Sequence, residues 1–319
     1  MKKNLKKAMT AALALVMGLS MIGGCTKKND DVTVRVGSLK GPTTIGIANM
    51  MSDHTEGYEY IMATQPDEIA SKIGAGELDI ALIPANLAAT LYNKTNGGIK
   101  VIDINTLGVL DCVTANPDIN AFGDLAGQTV LTTGQGATPE YAINYLLEQY
   151  GVEDVTLDFR ADGQEVIAAL SQDPNQIAIL PQPAATAACA QIEGVNVILD
   201  LNEGWANLDN GSMFITGVTV VRTEFLNDHP ESVQDFIVAH HNSVVMCETD
   251  LATTADRVVE LGIIAKAPLA QKAIPLCNIV CITGSEIKPA LSGYLQTLFD
   301  ANPKSVGGAM PGDDFYYAG

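Results

Sequence analysis

Basic side chains are scarce in this chain of 319 residues, where 18 Lys and Arg stand against 37 Asp and Glu and give a net charge of −19. Nucleic acid is thereby excluded as a partner, because phosphate backbones demand a basic surface. Aromatics are few, and there is a single tryptophan, Trp205. Catalytic and cofactor motifs are missing too. No G-x-S-x-G nucleophile elbow occurs, and the glycines of "TGQGAT" complete neither a P-loop nor a G-x-G-x-x-G fingerprint, so no cofactor is expected. "CNIVC" (Cys277 to Cys281) lacks the second pair and the histidines of a zinc site. His240 and His241 adjoin in a predicted helix and point to different sides, and His54 and His229 lie in polar, loop-like settings. No metal site and no catalytic residue is therefore expected. The acidic residues are scattered rather than coupled.

What is present begins at the N-terminus. Lys2, Lys3, Lys6 and Lys7 precede an uncharged run from Ala8 to Gly24. A membrane-spanning helix needs about 20 apolar residues, and this shorter run ends in glycines, the pattern of an export signal over residues 1–24. "IGGC" resembles a bacterial lipobox, which makes Cys25 the expected lipidation site and residues 25–31 a polar tether. Removal of the four leading lysines leaves 14 basic against 37 acidic side chains, a net charge of −23. Anionic headgroups repel such a domain, so a lipid anchor on the extracytoplasmic face of the cell membrane is the expected means of attachment. Five cysteines remain, an odd number, and most are expected to be small buried apolar residues.

From Val32 onward strands and helices alternate with short loops, first over "VTVRVGS", "YEYIMAT", "LDIALIP" and the long apolar "IKVIDINTLGVL". The alternation then restarts with "QTVLTT", "VTLDFR", "QIAILP" and "VNVILDL". This repetition predicts an α/β protein of two similar lobes, each an open, mainly parallel sheet flanked by helices. A further strand, "TGVTVVRTEFL", leads into a helical C-terminal part.

Ligands of open parallel sheets sit at the carboxyl ends of the strands, where helix N-termini offer free N–H groups. The candidates there are Ser38, Lys40, Thr43 and Thr44 in "SLKGPTT", Gln65 before Pro66, and Asn86 in "PAN". The second set supplies Gln135 and Thr138 from "TGQGAT" and Gln182 from "PQP". Each signal has a plain alternative: "GPTT" also suits a capped helix start, and Lys40 also suits a solvated surface. Trp205 fits either a cleft wall or a loop anchor.

Together the lipobox, "VGSLKGPTTIGIANMM", "DIALIPANLAATLYNKT", "DLAGQTVLTTGQGATPEYAINYLL" and "IAILPQPAAT" resemble the solute-binding lipoproteins of ABC importers. The resemblance is to the nitrate/sulfonate/taurine and thiamine-precursor (SsuA/NMT1-like) branch of the type II periplasmic binding proteins, and it covers nearly all of the mature chain. It implies residues 32–111 and 217–319 as one lobe, 112–216 as the other, and two hinge crossovers near Asp111–Ala115 and Ile215–Val218. It also implies a monomer that captures a small molecule between the lobes and hands it to a permease and its ATPase. Many relatives carry glutamate where Gln182 stands here, and anion-binding relatives use basic cleft residues, of which Lys40 is the candidate. The competing readings are an enzyme on the same fold and a ligand-sensing lipoprotein without a transporter.

Overall fold

The computed structural model describes residues 32–319, which form one compact unit. The export signal, Cys25 and the whole tether to residue 31 lie outside the described residues. Among the described residues no helix is long and apolar enough to cross a membrane.

The chain starts with β1 (Val34–Leu39), two short helices, α1 (Pro42–Ile45) and α2 (Ala48–Ser52), and β2 (Tyr58–Ala63). There follow α3 (Pro66–Gly74), β3 (Ile80–Pro84), α4 (Ala85–Thr95), β4 (Ile99–Leu107) and β5 (Leu110–Thr114). The repeat runs through β6 (Thr129–Thr132), α5 (Thr138–Gln149), β7 (Thr156–Phe159), α6 (Gly163–Gln172), β8 (Ile177–Pro181), α7 (Ala184–Gln191) and β9 (Asn196–Asp200). Next come α8 (Leu201–Asn207), β10 (Ile215–Arg222), α9 (Thr223–Asp228), α10 (Pro230–Thr249), α11 (Leu251–Glu260) and α12 (Ala267–Ala273). The edge strand β11 (Ile279–Thr283) and α13 (Ile287–Ala301) complete the set.

Two sheets result, with strand orders β11-β4-β10-β3-β1-β2 and β7-β6-β8-β5-β9. Parallel pairing is confined to β1 with β2 and β3, and to β6 with β7 and β8, where helices make the crossovers. Besides the edge strand β11, which runs antiparallel to β4, each sheet takes in one antiparallel strand beside its third strand, β10 in the first and β5 in the second. These are the strands on which the chain arrives from the other sheet, and they make both sheets mixed. The central strands β3 (IALIP) and β8 (IAILP) are buried on both faces, which is why they read as continuous apolar runs rather than alternating ones.

The apolar stretch expected as a single long strand is split between the two sheets. The chain leaves the first sheet at Leu107 and enters the second at Leu110, so the expected lobe boundary after Asp111, and the expected hinge from Asp111 up to Thr114, fall inside β5. At the break stands Gly108, where a side chain has no room: a Cβ would stand 2.4 Å from Phe214 Cδ1 and 2.6 Å from Asn202 Oδ1. "TEFL", expected to extend the strand, instead begins α9, because β10 loses its partner where Arg222 meets Ile99 at the start of β4. At that end Arg222 and Arg35 clamp Asp79, a carboxylate 2% exposed that accepts from Arg35 Nε at 2.8 Å and from Arg222 NH2 at 3.0 Å. Burial pushes the Asp79 carboxyl up, and the two guanidinium groups outweigh it and hold it below the usual range.

Trp205 lies on α8, not in a loop, and is 1% exposed. It stacks on Phe214 at 5.3 Å and meets Tyr145 of α5 at 4.7 Å and Tyr294 of α13 at 5.5 Å. Its Nε1 donates to Ser212 Oγ at 2.9 Å, so the residue anchors the return crossing and does not line the cleft. All five remaining cysteines are unpaired: Cys112, Cys247 and Cys277 are buried, Cys189 and Cys281 half-buried. Burial raises the thiols of Cys112 and Cys247 to about 12, as small apolar residues behave.

Candidate functional site

A cleft of about 660 Å³ opens where the carboxyl ends of β1 and β8 face each other. Lys40, Gly41 and Pro42 form one side, and Pro181 to Ala184, continuing onto α7, form the other. Ile263 to Lys266, between α11 and α12, and Leu269 of α12 supply the third wall, and α12 packs on α7. Local sequence explains the first wall: Gly41 takes φ +143°, which an L side chain resists, and Pro42 then starts α1 with its fixed φ. The lining combines prolines, alanines, Ile263, Ile264 and Leu269 with Lys40, Lys266 and the amides of Gln164, Gln182 and Gln191. No carboxylate is among the described residues that line it.

Gln182 stands at the centre of the second wall, 1% exposed, and its amide is used at both ends. Nε2 donates to Asp111 Oδ2 at 2.7 Å, and Oε1 accepts from Thr186 Oγ1 at 2.7 Å. Asp111 is raised to about 7 by burial, an effect that the Gln182 bond opposes and the nearby Asp200 charge reinforces. Asp111 and Asp200 are direct partners across β5 and β9 and line a second, smaller hollow of about 220 Å³ that also touches Gln182.

The hydroxyls of the first loop are turned inward. Thr43 Oγ1 donates to the Leu39 carbonyl at 3.0 Å, and Thr44 Oγ1 donates to the same carbonyl and lies 2.8 Å from Ser38 Oγ. Ser38 and Thr44 are almost fully buried, and these three side chains tie the strand-to-helix turn together, although neither threonine caps the helix, whose N-cap is Gly41 with no side-chain cap bond. Asn86 and Thr138 meet directly between the two halves of the repeat: Thr138 Oγ1 donates to Asn86 Oδ1 at 2.8 Å. Both are buried where α4 and α5 begin. Gln65 and Gln135 are exposed and absent from the cleft lining.

The structure thus brings Lys40 and Gln182 to opposite sides of one cleft, joins Asn86 to Thr138, and leaves Gln65 and Gln135 apart from it. Sequence reasoning missed Lys266 and Asp111. Lys266 lies in the helical C-terminal part, far along the chain from any strand-end loop. Asp111 carried one local signal, a lone acid inside an apolar run, but its partner Gln182 is 71 positions away.

A family model described as NMT1/THI5 like matches residues 58–248. No curated protein matches the chain. Among solved structures it is similar to an ABC transporter from Parabacteroides distasonis, with 25% identity, 90% of this chain and 99% of that chain covered, and a TM-score of 0.77. It shares its fold with the periplasmic aliphatic sulphonate binding protein SsuA from Escherichia coli (15% identity, 86% and 90% covered, TM-score 0.68). The alkanesulfonate-binding protein SsuA from Xanthomonas axonopodis pv. citri, bound to MOPS, gives 10% identity, 88% and 94% coverage and a TM-score of 0.66. These likenesses identify the fold as the two-lobed α/β periplasmic binding protein fold. With the matching region spanning more than half of its length, the chain belongs to the NMT1/THI5-like family.

Proposed function

We propose that this protein is an extracytoplasmic solute-binding lipoprotein, anchored through Cys25, that captures a small organic anion with an apolar body and delivers it unchanged to an ABC permease. One observation carries the ligand class: in a chain of net charge −19, the cleft presents two lysines and no lining carboxylate beside an apolar wall. Low-dielectric walls of one sign of charge concentrate a ligand of the opposite sign. The N-terminus of α7, in the second wall, adds a positive dipole end. Gln182, a neutral amide already engaged by Asp111 and Thr186, fixes the shape of that wall, while Lys40 and Lys266 neutralise charge.

Capture follows from the two-lobed architecture. A ligand that touches both walls only when they are close favours the closed form by its differential affinity, and the closed form is what a permease recognises. Closure turns on the crossings at Gly108–Val109 and at the segment between α8 and β10, and the Thr138–Asn86 bond holds the lobes together beyond the cleft.

Calorimetry and thermal shifts with sulfonates, carboxylates, nitrate and thiamine-precursor pyrimidines test this. Amphipathic sulfonates or carboxylates are expected to bind saturably, and Lys40→Gln and Lys266→Gln each to weaken them about tenfold or more, the loss of one charge-assisted contact. Tight binding of a neutral compound that neither substitution affects would sink the anion reading.

A further inference from the structure

We propose that Asp103, His240 and Cys281 form a binding site for a divalent cation of the zinc class, inside the first sheet and apart from the ligand cleft. The three residues come from three elements, β4, α10 and β11, and one ligand atom from each lies within 4.8 Å of the other two. His240 Nδ1 stands 3.1 Å from Asp103 Oδ2. Both residues are fully buried, and Cys281 is half-buried on the edge strand, which leaves an entry path from solvent.

The surroundings support these side chains as a built group. β11 slips register against β4 between Ile279 and Ile282, the kind of irregularity that re-aims a side chain, and Cys281 lies within it. Thr219 Oγ1 donates to Asp103 Oδ1 at 2.7 Å, and Asn105 Nδ2 donates to Thr219 Oγ1 at 3.1 Å. That chain of donors fixes one carboxylate oxygen and leaves the other facing His240, as an outer layer of hydrogen bonds does for metal-ligating carboxylates. His240 Nε2 has no hydrogen-bond partner among the described residues, although the ring is 0% exposed.

Thiolate, imidazole and carboxylate together suit a borderline-soft cation with tetrahedral preference, and they disfavour magnesium or calcium, which take oxygen ligands. Binding of the dication releases the Cys281 thiol proton to water and forms the metal–sulfur bond without any redox change. Once bound, the cation ties β11 and α10 to β4.

Cobalt(II) reports directly on thiolate ligation, so the test is its titration into the full-length chain in detergent, followed by displacement with zinc. The expected result is one cobalt per chain, with a thiolate charge-transfer band and the intense visible bands of a tetrahedral site. Cys281→Ser is expected to abolish the charge-transfer band and weaken binding by more than about 100-fold, and Thr219→Val to weaken it about 10-fold, since Thr219 positions Asp103. Cys189→Ser, half-buried elsewhere, is expected to change neither. His240→Gln tests the imidazole, and the half-buried Cys281→Ser keeps the experiment decisive if that core variant does not fold. A charge-transfer band that persists in Cys281→Ser, or the absence of saturable cobalt binding, would overturn the proposal.

Discussion

Asp111 shows how a single residue can work against stability beside a binding wall. Its carboxyl is raised to about 7, first by burial and then by the charge of Asp200, against an unfolded value near 3.9. Because the folded form holds the proton more tightly, the penalty is absent below about pH 4, grows as pH rises towards 7, and is constant above. Asp111→Asn is therefore expected to match the parent near pH 4 and to exceed it at pH 8, by at most about 4 kcal/mol, with partial solvent screening reducing the gain. Urea midpoints at the two pH values check this, and equal gains at both would contradict it. At this scale the sequence was partly legible. Lys40 was readable because it follows a strand directly and precedes a Gly-Pro turn. Lys266 and Asp111 were not, since what gives each its environment is a neighbour far along the chain. Ser38, Thr43 and Thr44 were readable as polar strand-end residues, but the inward direction of their hydroxyls depends on the Leu39 carbonyl.

Among the elements, the short crossing at Gly108 carries the clearest consequence. Ala at this position places a methyl group against Phe214 and Asn202, so Gly108→Ala is expected to cost about 1–3 kcal/mol of stability by overpacking. Denaturant midpoints measure the loss, and an unchanged midpoint would show that the crossing has slack. Strands such as β3 and β8 were legible as apolar runs ending in proline, and α3 as a helix with Pro66 at its start and Lys72 in its last turn. The division of "IKVIDINTLGVL" was hidden because hydropathy continues across Gly108 while pairing partners change there. β11 was hidden because five residues without alternation give no period to read. The antiparallel insertion of β10 and β5 rests on long-range pairing, which a local pattern does not encode.

For the molecule as a whole, the proposed role makes attachment and capture separable. Cys25→Ala is expected to move the protein from the membrane fraction to the soluble fraction of producing cells while leaving ligand affinity intact. Fractionation with immunodetection checks it, and continued membrane retention would contradict the lipid anchor. By itself the sequence determined the acidic balance, the export signal pattern, and the repeated strand-helix alternation that yields two α/β sheets, because composition and periodicity are properties of neighbouring residues. Tertiary structure alone decided that both sheets are mixed, that Lys266 joins Lys40 at the cleft, and that Asp103, His240 and Cys281 meet. The physical reason is that returning strands and the C-terminal helices bring together side chains separated by more than a hundred positions, a proximity set by packing and pairing rather than by any local pattern.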